Sequence, residues 1–416
     1  MASLATPASF TSEQPFASGN QWEPTVATDP ASGHVYMLST QIGGNCKTCA
    51  YWSIVMRVSS DGGSTFGPLS YLCGAGCAPG AGDWQADPAI KVASDGVLYA
   101  TYLNKFNPGT TLQRSFDQGS TWTVPVAVGA KSAKSNDKPW LAISPSGKDV
   151  YVAFNGGGSS GNKGIGGASF VATSHDYGAT FAPAIRTSAD KLAWFAWSGV
   201  VAPDGSIYFA EDAEDLTTKG AKLALVYSTD RGRTWKTQVM AHSQAPPACT
   251  ATNCPVDQYS QSAAIAVDGT GELLYVYTKN DLAGAPKRLY ATRSADGINW
   301  SAATVVNRRG DSTFPVIAAG VGNGDFRLAW QDDRNGGVKP WNTYFSSTNN
   351  SGTSWSVQTR LSDLGTGASY KSPSGYGFPY GDYMGLAVTS AGKDVVIWGE
   401  GEGWQTTGGT WFATGA

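Results

Sequence analysis

Polar and aromatic side chains gather at two recurrent places in this chain. One is just before the first strand of a repeated apolar hairpin; the other is just after its second strand. Trp84, Asp87, Asp137, Lys138, Trp197, Asp382 and Tyr383 belong to the first place, and Arg309 lies shortly before another hairpin. Glu211, Asp332 and Arg334 belong to the second. Paired carboxylates can break a glycosidic bond, one as acid and the other as nucleophile or base. Asp87, Glu211 and Asp332 are the candidate catalytic carboxylates. Tyr383 is the candidate nucleophile or base, given neighbouring charge to tune its hydroxyl. Arg334 follows two acids that can orient its guanidinium fork towards a substrate carboxylate. Arg309, Asp137, Lys138 and Asp382 would extend the binding surface, and Trp84 and Trp197 offer flat faces for sugar rings. Of the three histidines, His34 falls in a hairpin turn and His175 inside a polar turn, so an elimination would lean on Tyr383 or Tyr259.

These residues can meet only if the elements that carry them close into a ring. Seven hairpins recur, from "EPTVATDPASGHVYMLS" through "DPAIKVASDGVLYATY" to "YMGLAVTSAGKDVVIWG". Each alternates apolar and small residues around a Gly, Asp or Ser turn, the pattern of paired β-strands. A third strand follows each hairpin ("LALVYS", "RLYATRS"), then a polar turn and a fourth strand. Four antiparallel strands at a period near 60 predict a β-propeller blade. The expectation is an all-β, seven-bladed propeller of four-stranded antiparallel blades, one domain over 1–416. The count of polar turns is six, so the last blade lacks a fourth strand of its own, and the N-terminal "ASFTSEQPF" is expected to supply it. Six blades with an additional hairpin is the alternative count.

The polar turn reads "SSDGGSTF", "SFDQGSTW", "SHDYGATF" and "STDRGRTW", with degenerate copies "SADGINW" and "TNNSGTSW". Its Asp or Asn stands at 61, 117, 176, 230, 296 and 350. Asp117 can accept hydrogen bonds from its own turn, Gly119 supplies a positive φ, and Trp122 can pack between blades. Each role is structural. With strands lettered A to D in chain order, the boxed C–D turns share a face with the short A–B turns. The longer B–C and D–A connections, which carry the reactive residues, lie on the opposite face, and a site is expected there.

Net charge is −3 without a basic run, which argues against a nucleic-acid partner. No stretch of about 18 apolar residues exists to span a membrane, and the chain begins "MASLATPASF" without an apolar leader. A monomer is expected. The six cysteines come as close pairs, 46 with 49, 73 with 77, and 249 with 254. The first four have spacings that would suit zinc; disulfides of a secreted protein are the simpler reading, with Cys249 and Cys254 forming a local one. No cofactor is required, although the acidic run "EDAED" at 211–215 offers oxygens of the kind Ca²⁺ takes.

The pattern S-x-D-x-G-x-T-W/F resembles the Asp-box, or BNR, repeat of the sialidase superfamily, and its six copies over 59–355 cover nearly the whole chain. The resemblance implies a secreted, carbohydrate-active propeller that cleaves a glycosidic bond of an acidic or complex glycan at its central channel. Hydrolysis and elimination both occur among such propellers, and so do non-catalytic glycan- or protein-binding forms. A sialidase uses three arginines, a tyrosine nucleophile paired with a glutamate, and an acid/base aspartate. Arg309 and Arg334 would serve as two of the arginines, and Tyr383 with Glu211 or Glu214 as the pair. The F/Y-R-I-P segment that carries the family's first arginine is absent, and the first arginine here, Arg57, ends a C strand. The chain is therefore not a typical sialidase.

Overall fold

The computed structural model describes residues 9–18, 20–43, 52–72, 84–105, 109–129, 135–157, 167–247, 261–336, 341–363, 371–372, 375–376, 383–400 and 409–415. Its strands form seven four-stranded antiparallel sheets, each in the order A-B-C-D from the inside out, and one two-residue hairpin at 371–376. The A strands are Asn20–Thr28, Gln85–Val92, Ser135–Ile143, Ala193–Val201, Ala263–Val267, Ser312–Ala319 and Gly385–Val388. Each touches the A strand of the next blade, and the last touches the first. The chain is a seven-bladed β-propeller, as the hairpin count predicts.

In the seventh blade the sheet order is Gly385–Val388, Asp394–Glu400, Gly409–Gly415 and then Gln14–Pro15. Gln14 pairs with Phe412 and Pro15 with Trp411, so the outermost strand of this blade comes from the start of the chain. Phe16 is fully buried beneath this contact.

Blades cohere through apolar side chains interleaved between neighbouring sheets. Between blades 1 and 2, Tyr36, Leu38, Met56, Leu98 and Tyr102 pack with Trp122 of a boxed turn. Burying a side chain of this size contributes about 1.5–3 kcal/mol, so each interface is a continuous core.

The boxed turn repeats as one hydrogen-bonded unit. Ser115 Oγ donates to Asp117 Oδ1 at 2.8 Å and accepts from Gly119 N at 2.8 Å. Asp117 Oδ1 accepts from Thr121 N at 2.8 Å, and Oδ2 from Thr121 Oγ1 at 2.6 Å. The turns at Asp61, Asp176 and Asp230 repeat these bonds, and the same bonds hold Asp176 down at about 2. Gly119 has φ +86°, a backbone conformation that favours glycine, and it packs against the end of the Met56 side chain of the preceding blade.

Candidate functional site

Five of the seven A strands carry an irregularity near their start. The register shifts between Trp22 and Thr25, Ala86 and Ala89, Asp137 and Trp140, Ala196 and Ser198, and Thr313 and Val316. In four of them the bulged pair is a residue followed by proline: Glu23-Pro24, Asp87-Pro88, Lys138-Pro139 and Phe314-Pro315. The first member has φ of 57°, 55°, 49° and 48° respectively. A residue before proline ordinarily adopts extended backbone, and a left-handed non-glycine residue carries strain of about 1–3 kcal/mol. The bulge turns that side chain off the regular alternation. The bulges lie at the strand ends remote from the A–B turns, so their side chains meet at the channel mouth opposite the boxes.

At that mouth a chain of contacts crosses the ring. Glu23 Oε2 accepts from Thr40 Oγ1 and from the backbone N of Asp87, each at 3.0 Å. Asp87 Oδ1 lies 3.9 Å from Lys138 Nζ. Lys138 Nζ donates to the hydroxyl of Tyr383 at 3.3 Å and sits 4.7 Å from the centre of its ring. Tyr383 meets Trp140 edge-on at 5.5 Å and Trp197 at 6.2 Å. Trp197 contacts Phe314 at 6.0 Å and donates from Nε1 to Asp212 Oδ1 at 2.5 Å. Phe314 N donates to Ser262 Oγ at 3.1 Å, which brings in blade 5. All seven blades thus contribute, and the tyrosine stands at the hub.

Of the candidates read from the sequence, Asp87, Lys138, Trp197 and Tyr383 come together here. Asp137 lies beside them, its Oδ1 accepting from Lys138 N at 3.0 Å. Trp84 begins a run of aromatics towards blade 1, with Trp52 at 5.8 Å and Trp22 a further 5.1 Å from Trp52. Arg309 is exposed on the connection into blade 6.

Glu211 lies away from this cluster. It is fully buried and its Oε1 accepts from Ser169 Oγ of blade 3 at 3.0 Å, while Oε2 has no partner. Burial pushes this carboxyl up to about 8, and pushes Asp212 well above the usual range as well. Along the same acidic run, Asp215 accepts from the backbone N–H of Thr217 and Thr218. The carboxylates of the run therefore serve separate partners, and no group of three metal-ligating side chains occurs among the described residues.

Asp332 and Arg334 form a site of their own in blade 6. Arg334 donates to Asp332 from Nε at 2.8 Å and from Nη2 at 2.6 Å, and its Nη1 donates to Gln358 Oε1 at 2.7 Å. Its guanidinium carbon lies 3.7 Å over the ring of Tyr344. Trp330 Nε1 and Asn307 Nδ2 also donate to Asp332, yet burial holds that carboxyl above the usual range. The guanidinium fork is thereby filled from within the blade. Asp382, Tyr259 and all six cysteines, Cys249 and Cys254 included, lie outside the described residues.

The sequence shows the acids and aromatics of the mouth but not the device that aims them. Its trace is the recurring X-Pro at the start of the hairpins, "EP", "DP", "KP" and "FP". That recurrence also adds Phe314 to the site.

No family model and no curated protein matches this chain. Solved structures share its fold at low identity. An ulvan lyase, described as a new family of polysaccharide lyase, is 14% identical with a TM-score of 0.51, over 78% of each chain. The Hadza microbial sialidase Hz136 is 14% identical, TM-score 0.49, covering 95% of this chain and 65% of that one. A Trypanosoma rangeli sialidase in complex with 2,3-difluorosialic acid is 13% identical, TM-score 0.48, covering 99% and 59%. The chain thus spans about three fifths of the length of these sialidases, and at such identities the likeness establishes the propeller alone.

Proposed function

We propose that this propeller cleaves a glycosidic bond of an acidic glycan at the channel mouth opposite the boxed turns, outside the cell. One observation supports this above the others: the Lys138 ammonium stands 3.3 Å from the Tyr383 hydroxyl, with Asp87 on its other side. A cation beside a phenol stabilises the charge that builds on oxygen as the proton leaves, which suits tyrosine to act as nucleophile or base. The same cation can meet the carboxylate of an acidic sugar. Asp87 then holds the Lys138 ammonium in position, Trp84 is a stacking face, and Arg309 is the arginine open to a second substrate charge.

The test is a panel of uronate- and sialate-containing glycans incubated with the protein. Hydrolysis releases reducing sugar alone, whereas elimination also leaves an ultraviolet-absorbing unsaturated sugar. A product formed by the protein and lost in Tyr383→Phe supports the reading. No product from any glycan of the panel removes it.

A second reading, a non-catalytic glycan-binding propeller, is favoured by the burial of the pair: Lys138 is 6% and Tyr383 5% exposed. Binding on the same panel without product formation would establish it.

A further inference from the structure

The N-terminal segment that completes the seventh blade carries one ionisable side chain at its centre, Glu13. The segment is docked on both sides of it. Thr11 N donates to Thr414 O at 2.9 Å, and Phe16 N donates to Thr410 O at 2.8 Å. Phe10 meets Phe345 at 4.8 Å and packs on the core that includes Tyr383, Met384 and Trp398. Arg57 of blade 1 donates from Nη1 to Phe16 O at 2.8 Å, and its Nη2 and Nε donate to Phe66 O and Gly67 O.

Glu13 itself reaches to the end of blade 6 and to strand B of blade 7. Its Oε2 accepts from Asp363 N at 3.1 Å, and the side-chain carboxyls of Asp363 and Glu400 lie within hydrogen-bonding reach of it. Glu400 is buried, and its Oε1 also accepts from Trp398 Nε1 at 2.7 Å. Three carboxyls from three separate stretches of chain thus meet, and no lysine or arginine among the described residues pairs with Glu13. The cations of the surrounding elements are engaged elsewhere: Arg57 on its three carbonyls, Arg327 on Asp394 and Asp325, and Lys393 on Ser64. Carboxylates this close repel one another, whereas neighbouring carboxyls that keep a proton between them attract. Burial pushes Glu13 up to about 7, helped by the Asp363 carboxylate and opposed by the Asp363 N–H.

We propose that the ring closes with uptake of a proton: the N-terminal segment docks with Glu13 protonated beside Asp363 and Glu400, so closure is tightest in acid and loosens as pH rises. In the released segment Glu13 titrates near 4.5, and in the docked one at about 7. Between these values docking takes up a proton, so each rise in pH works against it, and above about 7 the loss is complete. Phe10 belongs to the core around Tyr383, so the state of Glu13 reaches the candidate site. The closure responds to pH whether that site cleaves a glycan or only binds one.

The test is hydrogen–deuterium exchange of the full chain from pH 4.5 to 8, read by mass spectrometry on peptides covering 9–18 and 409–415. Each rate is divided by its intrinsic rate at that pH, which leaves the protection against local opening. Protection of the two peptides is expected to fall by about tenfold or more between pH 5 and pH 8, beyond any change in the strands of blade 2. Glu13→Gln, which keeps a donor and never ionises, should remove this fall, and Glu211→Gln should leave it in place. The proposal is overturned if the two peptides lose no more protection than blade 2. It is equally overturned if Glu13→Gln keeps the pH dependence of the parent protein, or if Glu211→Gln abolishes it. The comparison of the two peptides with blade 2 needs no variant, so a poorly folding substitution leaves the test intact.

Discussion

Lys138 and Tyr383 are separated by 245 positions in the chain and by 3.3 Å in space. One opens the third blade and the other the seventh, so only a closed ring brings them into contact. Ring integrity and site integrity are one property in this protein.

Tyr383→Phe should act on turnover with little effect on the fold, whereas Lys138→Met also takes the cation from buried Asp87 and should lower Tm as well. Tyr383→Phe removes the hydroxyl alone, and loss of a nucleophile or proton-transfer group lowers turnover by about 100-fold or more. Lys138→Met should raise KM for an acidic glycan as well as lower kcat. Both follow from steady-state kinetics on the product-forming glycan, with circular dichroism to confirm folding. Full turnover in both variants would move the site elsewhere.

The two arginines raised by the sequence should behave oppositely. Arg334→Ala leaves Asp332 buried without its partner, and breaking such a pair costs about 3–5 kcal/mol. Arg309→Ala, on an exposed position, should leave Tm unchanged and weaken only acidic substrates. Denaturant melts and KM values on the two variants separate these outcomes.

Glu211 makes stability depend on pH. Its carboxyl titrates near 4.5 when the chain is unfolded and at about 8 when folded. Between these values the unfolded chain has released the proton and the folded protein has not, so stability falls as pH rises from about 4.5 to about 8. Glu211→Gln lacks this proton, so the stability of the variant relative to the parent should climb by a few kcal/mol across that window. Melts of both proteins at pH values across the window would show it, and a constant difference would exclude it.

The boxed turns should matter for folding and not for chemistry. Ser115 is fully buried and accepts from Gly119 N at 2.8 Å, so Ser115→Ala orphans a buried N–H at a cost of about 1–3 kcal/mol. Asp117→Ala should lower Tm too. Neither variant, once folded, should change KM on the product-forming glycan; a change in KM at unaltered Tm would give the box a functional role.

How much of this was legible in the sequence follows from which signals are local. Hairpins such as "DPAIKVASDGVLYATY" carry their alternation within sixteen residues, so blade number could be read directly. Asp87, Lys138 and Tyr383 could be placed on one face by strand direction alone. The bulges were not legible as such, because a residue before proline normally continues the strand, and here Glu23, Asp87, Lys138 and Phe314 do not. The role of Arg334 was hidden for another reason. Whether a guanidinium turns inward to Asp332 or outward to a ligand depends on Tyr344 and Gln358, which follow it by 10 and 24 positions.

The way the seventh blade is finished also sets how the ring bears load. In the other six blades each outer strand is joined by a covalent turn to the strand it pairs with, whereas the N-terminal segment is held to the last strand by non-covalent pairing alone, from the Phe10–Gly415 bridge through Gln14–Phe412 and Pro15–Trp411 to the Phe16 N–Thr410 O bond. Tension drawn between the first strand and the last would fall on that non-covalent seam before any covalent turn. Such a ring yields like a bracelet at its clasp: Phe16 leaves its socket, blades 1 and 7 part, and Lys138 and Tyr383 are drawn away from one another while the remaining blades keep their sheets.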